Sequence, residues 1–354
     1  MTDYRQELED LISIVTQEGA SDLHLTVGAH PMIRVSGDLV PIVKKPELTP
    51  EDSLGLVMQV LNETNQKLFL ETKEVDFSYS PNATVRFRGN AYYQKGTVAM
   101  ALRLIPHKIK TFEELNLPDK LQDFINKKQG FFLVVGPIGM GKSTTLAAMV
   151  QKINQERAEH ILTIEDPVEY LFQNDRSIID QREVRFDTAD FHTSLRSMFR
   201  QDVNVAMIGE MRNPETISTA VTAAETGHLI LSTLHTNSAS QTIDRIIDSF
   251  PANQQRQIRV QLAGSLLGVF SQRLIPRISG GLIPAYELLI NNNAVENLIR
   301  EGRTAEIDVV IETGSEDGMV TLNASLADLV QRGEITADNA YRYSIDTKGL
   351  ERLV

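Results

Sequence analysis

The sequence predicts an α/β protein built as two domains, and three observations carry that expectation. The chain of 354 residues exceeds the roughly 100–200 residues of a single domain. An N-terminal block, residues 1–105, mixes amphipathic helices with a strand meander. From Leu121 onward short apolar strands alternate with helical stretches, the pattern of a parallel sheet covered on both faces.

The elements follow in order. Leu8, Leu11, Ile12 and Val15 recur at i, i+3, i+4, i+7, so the chain opens with a helix that Gly19 ends. Leu23–Val27 and Ile33–Val35 read as short strands with turns at Gly28 and Gly37-Asp38. Thr49 caps a second helix, with Pro50 at its first position and Glu51 and Asp52 in its first turn; it runs to about Leu61. Val75–Tyr79, Val85–Gln94 and Val98–Ile105 are β-rich. The Pro-flanked stretch 106–118 reads as a linker. The core, 119–284, then holds strands at Phe131–Val135, Ile161–Ile164, Val205–Ile208 and Leu229–Thr233, with a helix from Ser143. The last part, 285–354, reads as helical, with Leu322, Leu326, Leu329 and Val330 on one helix face.

Composition excludes several functions. With 35 Lys+Arg against 47 Asp+Glu the net charge is −12, which disfavours bulk binding to nucleic acid or anionic lipid. There is no Cys, so disulfides, thiolate zinc sites and cysteine nucleophiles are absent, as suits a reducing compartment. No apolar run approaches the roughly 18–20 residues of a membrane span, and the charged first residues hold no signal-peptide core. A cytoplasmic protein without membrane insertion is expected.

The strongest local signal is Gly136-Pro137-Ile138-Gly139-Met140-Gly141-Lys142-Ser143, followed by Thr144. This is G-x-x-x-x-G-K-S between a strand and a helix, the context in which the motif binds nucleotide phosphates. Glycines let the backbone wrap the anion, successive N–H groups face it, Lys142 reaches the β/γ oxygens and the Ser143 hydroxyl can ligate Mg²⁺. Hydrolysis further needs a carboxylate near the γ-phosphate. Ligands in open α/β sheets sit at the C-terminal strand ends, where Glu165, Asp166 and Glu169 follow one strand and Glu210 follows another. Glu210 is the expected base; Glu165-Asp166-Pro167 reads either as catalytic or as a Pro-terminated turn. His228 and His235 bracket the Leu229–Thr233 strand, and both are expected to converge on Lys142 or else to serve as capping or core histidines.

Four collinear motifs carry a family likeness: the phosphate loop, Thr163-Ile164-Glu165-Asp166-Pro167-Val168-Glu169 (an Asp box), Ile208-Gly209-Glu210-Met211-Arg212 (a Walker B segment), and Thr226-Gly227-His228 through Thr233-Leu234-His235-Thr236-Asn237 (a His box). With Ser21-Asp22-Leu23-His24-Leu25 and Asn297-Leu298-Ile299-Arg300-Glu301-Gly302 outside them, the chain resembles the secretion/traffic ATPases, and among these the type IV pilus retraction ATPases of twitching motility. The likeness spans about residues 7–353. It implies a PAS-like N-terminal domain, a RecA-like ATPase domain, a homohexamer that hydrolyses ATP to ADP with Mg²⁺, and an inner-membrane pilus platform protein as partner at the cytoplasmic face of the membrane. It also implies that arginines of the N-terminal domain reach the phosphates; Arg88 and Arg103 stand in the matching stretches, and Arg86 is a weaker candidate. The catalytic set so implied is Glu210, Glu165, Arg88, Arg103, His228 and His235, with Mg²⁺ held by Ser143, Glu210 and the Asp box, partly through water.

The sequence departs from the family pattern at four places. Ile138 and Met140 replace small polar residues in the phosphate loop, Asn204 replaces an acid before the Walker B segment, and Glu296 replaces an Arg. Gly209 stands where a general Walker B has Asp, as is usual in this family. Three rivals remain at this point. One is an extension or secretion ATPase of the same superfamily, against which the lack of a four-cysteine element speaks. Another is a weakly active ring subunit beside another motor. The third is a nucleic-acid motor, against which the −12 charge speaks.

Overall fold

The computed structural model describes residues 3–35, 37–82, 85–106 and 108–354, so Met1, Thr2, Ser36 in the expected Gly37 turn, Ala83, Thr84 and His107 in the expected linker lie outside it. The chain divides into two compact units, Met1–His107 and Lys108–Val354.

The first unit begins with α1 (Tyr4–Gln17), whose Asp3 caps the N-terminus and whose Leu8, Leu11, Ile12 and Val15 are buried, as their spacing requires. Then come β1 (Asp22–Leu25), β2 (Met32–Val35), β3 (Asp38–Pro41), α2 (Pro50–Val60), α3 (Glu63–Thr72), β4 (Glu74–Asn82), β5 (Val85–Gln94) and β6 (Thr97–Ile105). Thr49 and Asp52 close a capping box on α2. Among the described residues the strands form one sheet in the order β3-β2-β1-β6-β5-β4. One sheet face, with Leu23, Phe77, Phe87 and Leu102, packs on Leu8, Leu11, Leu56 and Val57 of the helices.

The second unit opens with α4 (Leu121–Ile125) and β7 (Gly130–Val135), then α5 (Lys142–Glu156), β8 (His160–Glu165), β9 (Ile178–Glu183), α6 (Phe191–Met198), β10 (Val205–Ile208), α7 (Pro214–Glu225) and β11 (Leu229–Leu234). After these run α8 (Ala239–Asp248), α9 (Ala252–Ser265), β12 (Leu266–Pro276), β13 (Leu282–Ile290), α10 (Asn293–Glu301), α11 (Ile307–Thr313), α12 (Leu322–Gln331), α13 (Ala337–Tyr343) and α14 (Thr347–Leu350). The sheet order is β13-β12-β7-β11-β10-β8-β9; β12 and β13 pair antiparallel and every other neighbouring pair is parallel. The central strands are buried on both faces, which is why they read as unbroken apolar runs rather than alternations.

Two boundaries differ from the sequence reading. Phe112 and Leu117, inside the expected linker, are buried with Leu121, Phe124 and Met149, so that stretch is packed chain. The strand β13 crosses position 285, where the helical part was expected to begin; its pairing with β12 extends the sheet by one antiparallel edge strand.

Candidate active site

The phosphate loop leaves β7 at its C-terminal end. Gly136 has φ +146, and a Cβ there would stand 2.4 Å from the Gln272 carbonyl oxygen of β12, so glycine is required where the loop turns away from the neighbouring strand. Gln272 also fastens the far side of the loop. Its side-chain amide donates to the Met140 carbonyl and its oxygen accepts the Thr145 hydroxyl at 2.7 Å. Met140 Sδ accepts the Leu274 N–H at 3.3 Å, and Ile138 is 82 % exposed. The two departures from the usual loop therefore leave the loop backbone tethered to β12 or face outward.

Lys142 opens α5 and folds back over the loop. Its Nζ donates to the carbonyls of Gly136 (2.8 Å) and Pro137 (3.0 Å) and lies 3.1 Å from His235 Nδ1. Burial lowers its pKa, while Glu210 and Glu169 oppose that shift. His235 follows β11. Burial, then the charge of Lys142, hold its imidazole below the ordinary value. A neutral ring accepting from Lys142 through Nδ1 carries its proton on Nε2, and that atom is 3.7 Å from Glu210 Oε1. Glu210 in turn meets Arg212 at 2.8 Å.

The two acids at neighbouring strand ends differ. Glu165 is buried, and its carboxylate accepts from the Thr163 hydroxyl (2.7 Å), the Glu169 N–H (3.1 Å) and the Gln181 amide (3.3 Å). Desolvation outweighs those donors and pushes its carboxyl up to about 7. The Glu210 side chain keeps 25 % of its surface open. Gly209 brings the two together: a Cβ on it would lie 3.3 Å from the Ile164 carbonyl oxygen and 3.4 Å from Glu165 Cα. An Asp at that position would crowd the end of β8.

Ile138 to Thr144, Glu165, Asp166, Glu169, Glu210 and His235 all line one cavity of about 420 Å³, together with Tyr170, Phe172 and Arg212. Thr144 and Tyr170 hydroxyls are 2.8 Å apart, joining the first turn of α5 to the Asp-box loop. Tyr170, Gln181 and Gln272 are site residues that the sequence reading missed; no local motif marks them, and Gln272 is brought in only by the β12–β7 pairing. The cradle fits a nucleotide: backbone turns at glycine, a buried cation over the loop, and the Ser143 hydroxyl beside it suit phosphate and a hard divalent ion. Among the described residues no group of three His, Asp or Glu forms a separate metal cluster.

His228 is a correction. It precedes β11 while His235 follows it, so the two stand at opposite sheet edges, roughly 20 Å apart at 3.3 Å per strand residue. His228 Nδ1 lies 3.1 Å from the Ala223 carbonyl and its ring meets Phe199 edge-on; it closes the end of α7. Asn204 is also at that remote edge, its side-chain oxygen accepting the His160 N–H at 2.8 Å, so its lost acid does not weaken the field in the cavity. Glu296 pairs with Arg300 one turn along α10 at 2.6 Å.

In the first unit, Arg88 and Arg103 are direct cross-strand partners on β5 and β6, and Asp22 on β1 is the next residue in the same row. Arg103 Nε donates to Asp22 Oδ1 at 2.8 Å, while Arg34 lies 3.9 Å from the other oxygen. Burial pushes the Asp22 carboxyl up, but the Ser21 hydroxyl and Arg103 outweigh it and hold it below its ordinary value. Arg88 is exposed and Arg86 half-buried.

The fold and cavity agree with what similarity to known proteins gives. Residues 4–345 match the model of the Type II/IV secretion system protein family. The chain belongs to that family. It is 43 % identical to the type IV pilus retraction ATPase PilT of Pseudomonas aeruginosa over 94 % of this chain and 97 % of that one. It is 39 % identical to the type IV pilus ATPase PilU of the same organism, over 98 % and 91 %. A crystal structure of the pilus retraction motor PilT with bound ADP superposes with a TM-score of 0.91 at 47 % identity, covering 98 % of each chain. Among the described residues no helix is long and apolar enough to cross a membrane.

Proposed function

We propose that this family member is a Mg²⁺-dependent ATPase, acting as a homohexamer at the cytoplasmic face of the inner membrane, that drives type IV pilus retraction against a platform protein in that membrane. The observation that carries the reading is the line Lys142–His235–Glu210 across the cavity, supported by the ATPase relatives at full length.

Loop N–H groups from Ile138 through Ser143 and the start of α5 bind the phosphates, Gly136 and Pro137 lead the chain into that turn, and Thr144 with Tyr170 bounds the site beside them. Lys142 exchanges its carbonyl partners for β/γ oxygens, a charge-assisted gain over neutral acceptors. Ser143 and Glu210 would hold Mg²⁺, which would supply neutralisation of the phosphate charge. Glu210 takes the proton of the attacking water, because it is the more open of the two acids and its bonds are to side chains only. Glu165, locked by three donors, shapes the Asp-box loop and stands as the alternative base. His235 orients Glu210 and Lys142. Arg88 and Arg103 are proposed to stabilise the charge of the transferring phosphoryl group, for which guanidinium geometry is suited.

The test is ATP turnover by the purified full-length chain with and without Mg²⁺, and with R88A and R103A combined. Mg²⁺-dependent turnover that the double variant abolishes is expected. ATP binding without turnover makes the chain an accompanying ring subunit. Parental turnover in the double variant makes both arginines structural.

A further inference from the structure

Beyond the cavity, His235-Thr236-Asn237 leads into α8 at its cap, Ser238. Two residues of the antiparallel β12–β13 pair reach that turn. Glu287 of β13 is 8 % exposed and accepts the Ala239 N–H at 2.7 Å. Ser271 of β12, itself buried, donates its hydroxyl to the Asn237 carbonyl at 3.1 Å. The two are direct register partners, so one cross-strand pair grips the turn on both sides of Ser238. Neither lines the nucleotide cavity.

A carboxyl is an unexpected choice at this place. Its neighbours Leu288 and Leu289 are core residues, and burying a charge without compensation costs several kcal/mol. Compensation is visible. The first N–H of α8 meets the carboxylate at the positive end of a helix. Burial, then the nearby Asp308 charge, still raise its carboxyl, to about 7, while Ala239 N–H and Arg273 oppose them. A side chain kept at such cost holds the α8 entry in one place, and the residue four positions before Ala239 is His235.

We propose that Glu287, with Ser271, is a positioning residue for hydrolysis: it fixes the turn that sets His235 between Lys142 and Glu210. This rests on the proposed role of His235, and through it ties the ATPase geometry to the C-terminal strand pair.

The experiment is steady-state ATPase kinetics of the full chain carrying H235A, E287A, E287Q, S271A and the E287A/H235A combination, with melting curves for each. E287A is expected to lower kcat about 10-fold at nearly constant KM, the scale of a small misplacement. E287Q should recover most of that loss, because its amide oxygen still accepts the Ala239 N–H. E287A should cost less than about 2-fold once His235 is gone, since partners in one device are not additive. Losses that multiply with H235A, a failed rescue by E287Q, or parental kcat in E287A overturn the proposal; a smaller active fraction would multiply. If E287A does not fold, S271A decides in the same way: a lower kcat that vanishes on the H235A background supports the proposal, and parental kcat overturns it. Parental turnover in H235A itself removes the role of His235, which is a different failure from additivity.

Discussion

The two edges of the parallel sheet hold the same kinds of residue and use them differently. At the C-terminal edge, the phosphate loop follows β7, Glu165 ends β8, and Glu210 and His235 follow β10 and β11; all border one cavity. At the N-terminal edge, His160 opens β8, and Asn204 and His228 precede β10 and β11. There, His160 Nδ1 meets the Gln201 carbonyl, Asn204 bonds the backbone of His160, and the His228 carbonyl receives the Gly130 N–H. These contacts complete backbone hydrogen bonding, and the other ring nitrogen of His160 meets Asp180 at 3.0 Å. At the leaving edge, Lys142 and Glu210 each meet His235 and line the cavity, so the cation and the acid stay available to a ligand. Position along a strand decides whether a histidine is mortar or machinery.

That contrast can be broken by substitutions at either edge. K142A should abolish nucleotide binding in titration calorimetry, because it removes the cation over the loop; unchanged affinity would overturn the phosphate-loop assignment. Next in size is the histidine pair. H235A should slow turnover by about 10²-fold, the lower range for a group serving general-base chemistry, whereas H228A should leave kcat nearly parental. Equal losses would erase the distinction between the edges.

Asn204 should matter to stability alone. N204A leaves the His160 N–H short of its partner and should cost about 1–2 kcal/mol in denaturant unfolding, with kcat unchanged in the folded enzyme. A loss of turnover without a loss of stability would return Asn204 to the active site.

A pH dependence is expected at Glu165. Its folded carboxyl titrates at about 7 against an ordinary 4.5. Below pH 4.5 both folded and unfolded chains hold the proton. Between 4.5 and 7 only the folded chain keeps it, so the stability contributed by the raised carboxyl is lost as pH rises to 7. The melting temperature of E165Q, relative to the parent without nucleotide, should therefore climb across that window and level off above it. A difference independent of pH would mean that Glu165 is ionised throughout.

Much of this was legible because the central strands are apolar on both faces and the phosphate loop has a fixed strand–helix context. The strands at Phe131, Ile161, Val205 and Leu229 are where their composition puts them. What stayed hidden has physical causes. The edge strand β9 is mostly polar, Ile-Ile-Asp-Gln-Arg-Glu, and lacks the apolar run of its neighbours. The pairing of β12 with β7 is non-local, and Glu287 meets the Ala239 N–H from a strand far along the chain, so neither Gln272 behind the loop nor Glu287 under α8 has a sequence signal. The expected convergence of His228 overlooked that a parallel strand separates the residues at its two ends. Arg88 and Arg103 were legible as a pair of positions, but their shared row with Asp22 needed the β1–β6–β5 register.

The central claim is that the open acid at the end of β10 activates water while the locked acid at the end of β8 does not. The most direct measurement is phosphate release by E210Q with saturating ATP, alongside an affinity measurement for the nucleotide. The account predicts a rate about 10²–10⁴-fold below the parent, with affinity nearly retained because the amide preserves shape. Parental turnover in E210Q would contradict it and transfer the proton-accepting role to Glu165.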